Sequence, residues 1–133
     1  MQYLTEKDIT TLNVYVISMY SPKEQMGVKD PDTLNILANA SKQYVFRETI
    51  EPILELESAR LVRCLLKKHV FFNGNKRTAL ISLAVLLNIN GYQLTVSNEE
   101  AADYMVKVIT DDLQEVDISK WIEVNIKPIV NKL

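Results

Sequence analysis

One run constrains this chain more than any other: Thr78-Ala-Leu-Ile-Ser-Leu-Ala-Val-Leu-Leu87. It is apolar on nearly every side when wound as a helix, so it has no face to offer to water. It is also well short of the roughly 18 apolar residues of a membrane span. Such a helix has to sit in the middle of a soluble fold, with other elements packed on every side of it. A helix from Lys76 to about Ile89 is therefore the centre around which the rest is placed, and Asn90-Gly91 is its stop signal.

What leads into this helix carries chemistry. The only histidine, His69, is followed by Val-Phe-Phe and then by Asn73-Gly74, a dipeptide suited to a tight turn. Asn75, Lys76 and Arg77 open the helix. A helix start offers free N–H groups and the positive end of the macrodipole. Lys76 and Arg77 add full charges, and an arginine can hold two phosphate oxygens at once. Cations at a helix start oppose the macrodipole, which an anionic ligand would offset. Gly74 leaves room for a phosphate to come close to the backbone. The residues thus read as a phosphate cradle with a potential general base, His69, at its lip.

Charge distribution points the same way. The net charge of −2 argues against a general nucleic-acid binder, as does the lack of aromatics interleaved with the bases. Yet no Asp or Glu occurs from Ser58 to Asn98, a stretch that holds Arg60, Arg63, Lys67, Lys68, Lys76 and Arg77. The positive field is expected around the His69 stretch. The single cysteine, Cys64, excludes a disulfide framework and a Cys-based zinc site. With no membrane span and no signal-peptide profile at the first residues, the expected location is cytoplasmic.

The remaining elements follow from local signals. Thr5-Glu-Lys-Asp8 has the form of a capping box, opening a helix from Glu6 to about Tyr20 with Ile9, Leu12, Val16 and Met19 inward. Asp30-Pro31 starts a second helix that runs to about Ser41, with Leu34, Leu37 and Ala38 inward. Tyr44-Val-Phe46 reads as a short extended piece. A helix from about Pro52 to Lys68 follows, with a wide apolar face. Tyr92–Val96 is short and extended. Ser97-Asn-Glu-Glu100 opens a helix to about Thr110, and a last helix covers about Ile118 to Ile126, with Trp121 in the core. These segments make one compact all-α domain over residues 1–133, with about six helices around a buried central one.

The stretch His69-Val-Phe-Phe-Asn73-Gly74-Asn75-Lys76-Arg77-Thr-Ala79 resembles the signature of the Fic/Doc family, roughly His-x-Phe-x-(Asp/Glu)-(Gly/Ala)-Asn-(Gly/Lys)-Arg. Lys76 and Thr78-Ala79 resemble the family's Doc, or death-on-curing, branch. Asn88–Leu94 resembles its stretch after the central helix, and Gly27–Leu34 its region before the second helix. The resemblance implies the Fic/Doc fold and a protein-modifying transferase that uses ATP. Doc-like members are toxins of toxin–antitoxin pairs that phosphorylate a threonine of a translation elongation factor. Other members transfer AMP to a protein hydroxyl.

The resemblance also implies roles. His69 would be the general base and Phe71 an anchor that buries the loop. Asn75 would bond phosphate oxygens, while Lys76 and Arg77 would hold the phosphates. Arg77 would also stabilise the charge of transfer. The fifth motif position, an acid that helps hold Mg²⁺ in the family, is Asn73 here, which weakens the expectation of metal binding and of full activity. A catalytically weak domain that works by binding is therefore the competing reading. Leu80 stands where AMP-transferring members carry a second arginine, which favours phosphorylation. No Glu in this sequence is followed by Gly or Asn, so the family's inhibitory (Ser/Thr)-x-x-x-Glu-(Gly/Asn) helix is expected in trans, from an antitoxin.

Overall fold

A computed structural model describes residues 1–39 and 53–130. The expected Tyr44–Phe46 extended piece, the helix end near Ser41 and the helix start at Pro52 lie outside the described residues. Six helices and two short strands occur among the described residues: α1 (Glu6–Tyr20), α2 (Pro31–Asn39), α3 (Leu54–Lys67), α4 (Asn75–Ile89), β1 (Tyr92–Leu94), α5 (Asn98–Thr110), α6 (Glu115–Val124) and β2 (Ile126–Pro128).

The caps explain most boundaries. Thr5 accepts from the Asp8 N–H while the Asp8 carboxylate accepts from the Thr5 N–H, which fixes the start of α1. Asp30 accepts from the Thr33 N–H and hydroxyl and so caps α2. Ser97 accepts from the Glu100 N–H at the start of α5. At the far end of α4, Gly91 adopts φ 88, a left-handed stop.

Helix α4 is the centre. It packs against α1, α3, α5 and β1, while α3 in turn packs against α6. Leu83 and Leu87 of α4 are fully buried with Val62 and Leu65 of α3, Met105 and Val108 of α5, and Ile118 and Ile122 of α6. Burying a side chain of this size contributes roughly 1.5–3 kcal/mol, so this cluster is the main source of stability. The helix is not enclosed on every side, as its composition suggested. Thr78, Ala79, Ser82, Leu83, Leu86 and Leu87 form its buried face, while Leu80, Ile81 and Val85 are half-buried and Ile89 is exposed.

Three further expectations are corrected. Met19 points out, 60 % exposed, and Asn13 and Ile17 take the inward face with Ile9 and Val16. Ten residues at 100° each place Met19 about 80° from Ile9 on the side away from Asn13 and Ile17. Second, α6 starts at Glu115 rather than Ile118, because the Gln114 N–H donates to the Asp117 carboxylate at 3.0 Å. It ends at Val124, where the Asn125 side-chain amide donates to the Trp121 carbonyl at 2.8 Å. Third, the all-α fold carries a small antiparallel ribbon, with Tyr92 opposite Pro128, Gln93 opposite Lys127 and Leu94 opposite Ile126. Trp121 is half-buried at the edge of the core and stacks on Tyr104, with ring centroids 3.9 Å apart and an interplanar angle of 5°.

Candidate functional site

Two helix ends and a loop make the site. Helix α3 closes with the Lys68 N–H donating to the Cys64 carbonyl at 3.0 Å. The next residue, His69, takes φ 48, in the left-handed region that non-glycine residues rarely occupy. This reversal turns the chain out of α3 and leaves the imidazole exposed. Residues held in that region cluster at functional sites, where the surrounding structure enforces them. Here Val70 and Phe71, both buried, anchor the chain on the next two residues.

A strap from the segment before α2 holds the loop from the other side. The Lys29 and Asp30 N–H groups both donate to the Val70 carbonyl, at 2.8 and 3.1 Å, and the Phe72 N–H donates to the Gly27 carbonyl at 3.2 Å. Val28 and Phe71 pair as an isolated antiparallel bridge. Hydrogen bonds donated by the Thr33 hydroxyl and then its N–H hold the Asp30 carboxyl below the usual carboxylate range.

Asparagines close the loop onto itself and onto α1. The Asn75 side chain accepts from the Phe71 N–H at 3.0 Å and donates to the Phe71 carbonyl at 2.9 Å. Both ends of its amide are engaged within the loop, which leaves its second side-chain N–H and its backbone N–H at the start of α4 to meet an anion. Asn73 donates its side-chain N–H to the Gln25 carbonyl at 3.1 Å. Its own carbonyl accepts from Asn13, at 2.9 Å, and the same Asn13 amide donates to the Thr78 hydroxyl at 3.1 Å. Asn13 is fully buried among apolar neighbours on α1, where an unpaired amide would be costly. It was not singled out in the sequence, although a polar residue at the i, i+4 spacing between Ile9 and Ile17 is a visible break in an apolar stripe.

Gly74 is the N-cap of α4 at φ 75, and no side chain caps the helix. A Cβ there would lie 2.8 Å from Ile17 Cδ1 and 3.3 Å from Val16 Cγ2. The missing side chain thus lets α1 pack against the start of α4. Lys76 and Arg77 stand exposed in the first turn, and neither forms a salt bridge among the described residues. The Arg77 guanidinium lies over the Tyr20 ring, 4.2 Å from its centroid. The structure therefore brings His69, Asn73, Gly74, Asn75, Lys76 and Arg77 onto one loop and helix start. An exposed imidazole, a helix N-terminus and two exposed cations without a carboxylate partner among the described residues lie there, a chemistry suited to holding an anionic group beside a base.

Of the other basic residues in this stretch, Lys68 is exposed beside His69 with no salt bridge among the described residues, and the remaining three are engaged. Arg60 pairs with Glu57 at 2.9 Å, and Arg63 and Lys67 both reach Asp112, at 3.4 and 2.7 Å. The broad basic patch expected from the sequence narrows to the loop and the first turn of α4. At the motif's metal position the chain offers the Asn73 amide oxygen, a weaker Mg²⁺ ligand than a carboxylate. Asn73 gives its N–H to Gln25, and no three His, Cys, Asp or Glu side chains come together among the described residues. Among them, no helix is long and apolar enough to cross a membrane.

Residues 3–87, the part that holds α1, α3, the loop and most of α4, match the family model described as the Fic/DOC family. The chain is 28% identical over 113 residues to "Protein kinase doc" of Escherichia phage P1, which spans 85% of this chain and 86% of that protein. It is likewise 28% identical over 113 residues to "Toxin Doc" of Mycolicibacterium smegmatis, with 84% of this chain and 83% of that protein covered.

Proposed function

The chain belongs to the Fic/DOC family, and on that premise we propose that it is a Doc-like toxin, a transferase that moves the γ-phosphoryl group of ATP onto a threonine hydroxyl of a translation elongation factor. The observation that carries this reading is the start of α4: an uncapped helix N-terminus with Lys76 and Arg77 free of carboxylates among the described residues, next to an exposed His69 held at φ 48. The kinase and toxin named in the two relatives support it.

In this scheme the target hydroxyl oxygen attacks the γ-phosphorus. Its proton passes to His69, and the bond to the β–γ bridging oxygen breaks, with ADP as leaving group. Imidazole suits the base, since histidine ordinarily titrates near neutral pH. The N–H groups of Asn75 and Lys76 and the side chains of Lys76 and Arg77 oppose the charge that spreads over the phosphate oxygens. Asn13, Asn73 and Asn75 keep the loop in one shape, so little reorganisation is needed at the moment of transfer. No step requires a metal ligand from the chain.

Restraint in the producing cell would come from an antitoxin. Tyr20, Met26 and Phe72 lie exposed around the loop and offer apolar contact to a docking segment. A glutamate on that segment would compete with ATP phosphates for Lys76 and Arg77.

A second reading is favoured by one observation. Asn73 provides no carboxylate and is tied to Gln25, which suits a domain that binds nucleotide and partner but transfers slowly. A third outcome is AMP transfer, in which attack falls on the α-phosphorus and pyrophosphate leaves. One experiment separates all three. The purified chain is incubated with elongation factor and ATP labelled in either the α or the γ position. Label from γ alone supports the kinase, and label from α supports AMP transfer. ATP binding with neither label transferred supports the binding domain. His69→Ala should lower transfer by about 10²–10⁴-fold with nucleotide binding nearly intact. Full transfer by that variant would remove His69 from its role.

A further inference from the structure

Arg77 has a contact that phosphate binding alone does not account for. It projects from the first turn of α4, where a cation is disfavoured by the macrodipole of its own helix. It reaches back to Tyr20, the last residue of α1, with its guanidinium carbon over the ring and 4.2 Å from the centroid. The last turn of α1 holds no basic side chain, so its partial negative charge has no cation of its own. The guanidinium is thus placed between the positive end of one helix and the negative end of another. Tyr20 itself is 59 % exposed and outside the apolar core cluster, so packing gives no reason for its position.

We propose that Tyr20 is the positioning residue of Arg77: its ring face holds the guanidinium at the mouth of the loop while itself taking none of the N–H groups that a ligand would use. A carboxylate partner would hold the arginine equally well, but in the plane of its N–H groups, and would compete with phosphate for them. A ring face binds the cation through the perpendicular direction and takes none of the donors. It also removes water from one side of the guanidinium before the ligand arrives. The arrangement explains why an arginine with no salt bridge among the described residues, on an exposed first turn, still has a defined direction. The inference rests on the phosphate reading of the site and adds to it a residue outside the motif.

The test joins a ligand-free signal to a binding series. In the free chain, the Arg77 Nε–H resonance should be displaced upfield by the Tyr20 ring. The displacement should persist in Tyr20→Phe and vanish in Tyr20→Leu. In calorimetric titration with ATP, parent and Tyr20→Phe should bind alike, and Tyr20→Leu should bind about two- to fivefold more weakly. On an Arg77→Lys background, which lacks the planar group, Tyr20→Leu should have no further effect. Unchanged ATP affinity in Tyr20→Leu, with the parent binding, overturns the role. So does an equal loss on the Arg77→Lys background, which would mean that Tyr20 touches the nucleotide itself. A parent that binds no ATP sinks the phosphate reading and the role of Tyr20 together, an outcome distinct from the other two.

Discussion

Two groups of cations lie within twenty residues of one another and have opposite fates. On α3, Arg60 gives one nitrogen to Glu57 and another to the Leu37 carbonyl. Arg63 donates to the Leu113 carbonyl at 3.0 Å, and both it and Lys67 reach Asp112. These side chains tie α3 to α2 and to the turn between α5 and α6. On α4, Lys76 and Arg77 have no carboxylate partner among the described residues, and Arg77 lies over the aromatic face of Tyr20. Charge alone does not mark a binding site. The fold pairs each cation of the first group with a carboxylate, whereas those of the second meet none among the described residues. The acid-free stretch from Ser58 to Asn98 mattered less than where the acids outside it fold back to.

The largest effects should come from exchanging the roles of the two groups. Arg77→Ala should weaken ATP binding by roughly 1.5–3 kcal/mol, the usual loss for a charge-assisted contact. Its thermal midpoint should stay at the parent value, because Arg77 supports no core contact. Lys67→Ala should do the reverse, leaving ATP affinity alone and lowering the midpoint slightly. Calorimetric titration and thermal melts on the two variants decide it. Equal losses of ATP affinity in both would mean that the two groups act as one patch and that the contrast is wrong.

What the sequence disclosed and what it withheld divide along the same line. The starts of α1, α2 and α5 were legible because Thr5, Asp30 and Ser97 cap helices through neighbours three residues away. The loop was legible because its motif is contiguous. Pairings that join distant segments were not. The ribbon joins Tyr92–Leu94 to Ile126–Pro128 through strands of three residues each, too short to show a period. The tie between Lys67 and Asp112 depends on how α3 meets the α5–α6 turn. Asn75 shows a subtler limit: an amide in a loop can serve a ligand or the backbone, and its two bonds to Phe71 could not be read from the motif. Asn13 was hidden for the opposite reason, since a lone polar residue on an apolar stripe is hydrogen-bonded far more often than functional.

A smaller effect would come from making the loop resemble α3. Asn73→Asp puts a carboxylate into a stretch that now has none and removes the N–H that the Gln25 carbonyl accepts. In the absence of metal, the variant should melt lower by about 1 kcal/mol, the typical value of one hydrogen bond. It should also bind ATP more weakly, because the added charge repels the phosphates. With Mg²⁺ present, the carboxylate is a ligand of the kind that ion prefers, and the affinity of the nucleotide complex for Mg²⁺ should rise. Titration of ATP with and without Mg²⁺ tests both halves. An unchanged Mg²⁺ affinity would show that position 73 faces away from the phosphates.

The smallest effect concerns the partner that keeps the first group occupied. The hydrogen bond from Lys67, then the charges of Lys67 and Arg63, hold the Asp112 carboxyl below the usual carboxylate range. A carboxylate depressed in the folded state stabilises the fold above its unfolded value of about 3.9, and that contribution is lost as pH falls through the lower folded value. Asp112 also sits at φ 47, which asparagine tolerates almost as well. Asp112→Asn therefore removes the charge without disturbing the turn. At pH 7 the variant should melt slightly below the parent, by a small margin because the pair is open to solvent. As pH falls below about 4 and on through the lower folded value, the two melting curves should converge, since the parent's group then becomes neutral too. At neutral pH, 1 M salt should also narrow the gap, because the screening length falls to about 3 Å. ATP affinity should be the same for both proteins at pH 7, as Lys67 and Arg63 are not part of the cradle. A gap that stays constant down to pH 2 would show that Asp112 acts through its shape rather than its charge. A rise in ATP affinity on releasing Lys67 would show that the two groups of cations share a ligand after all.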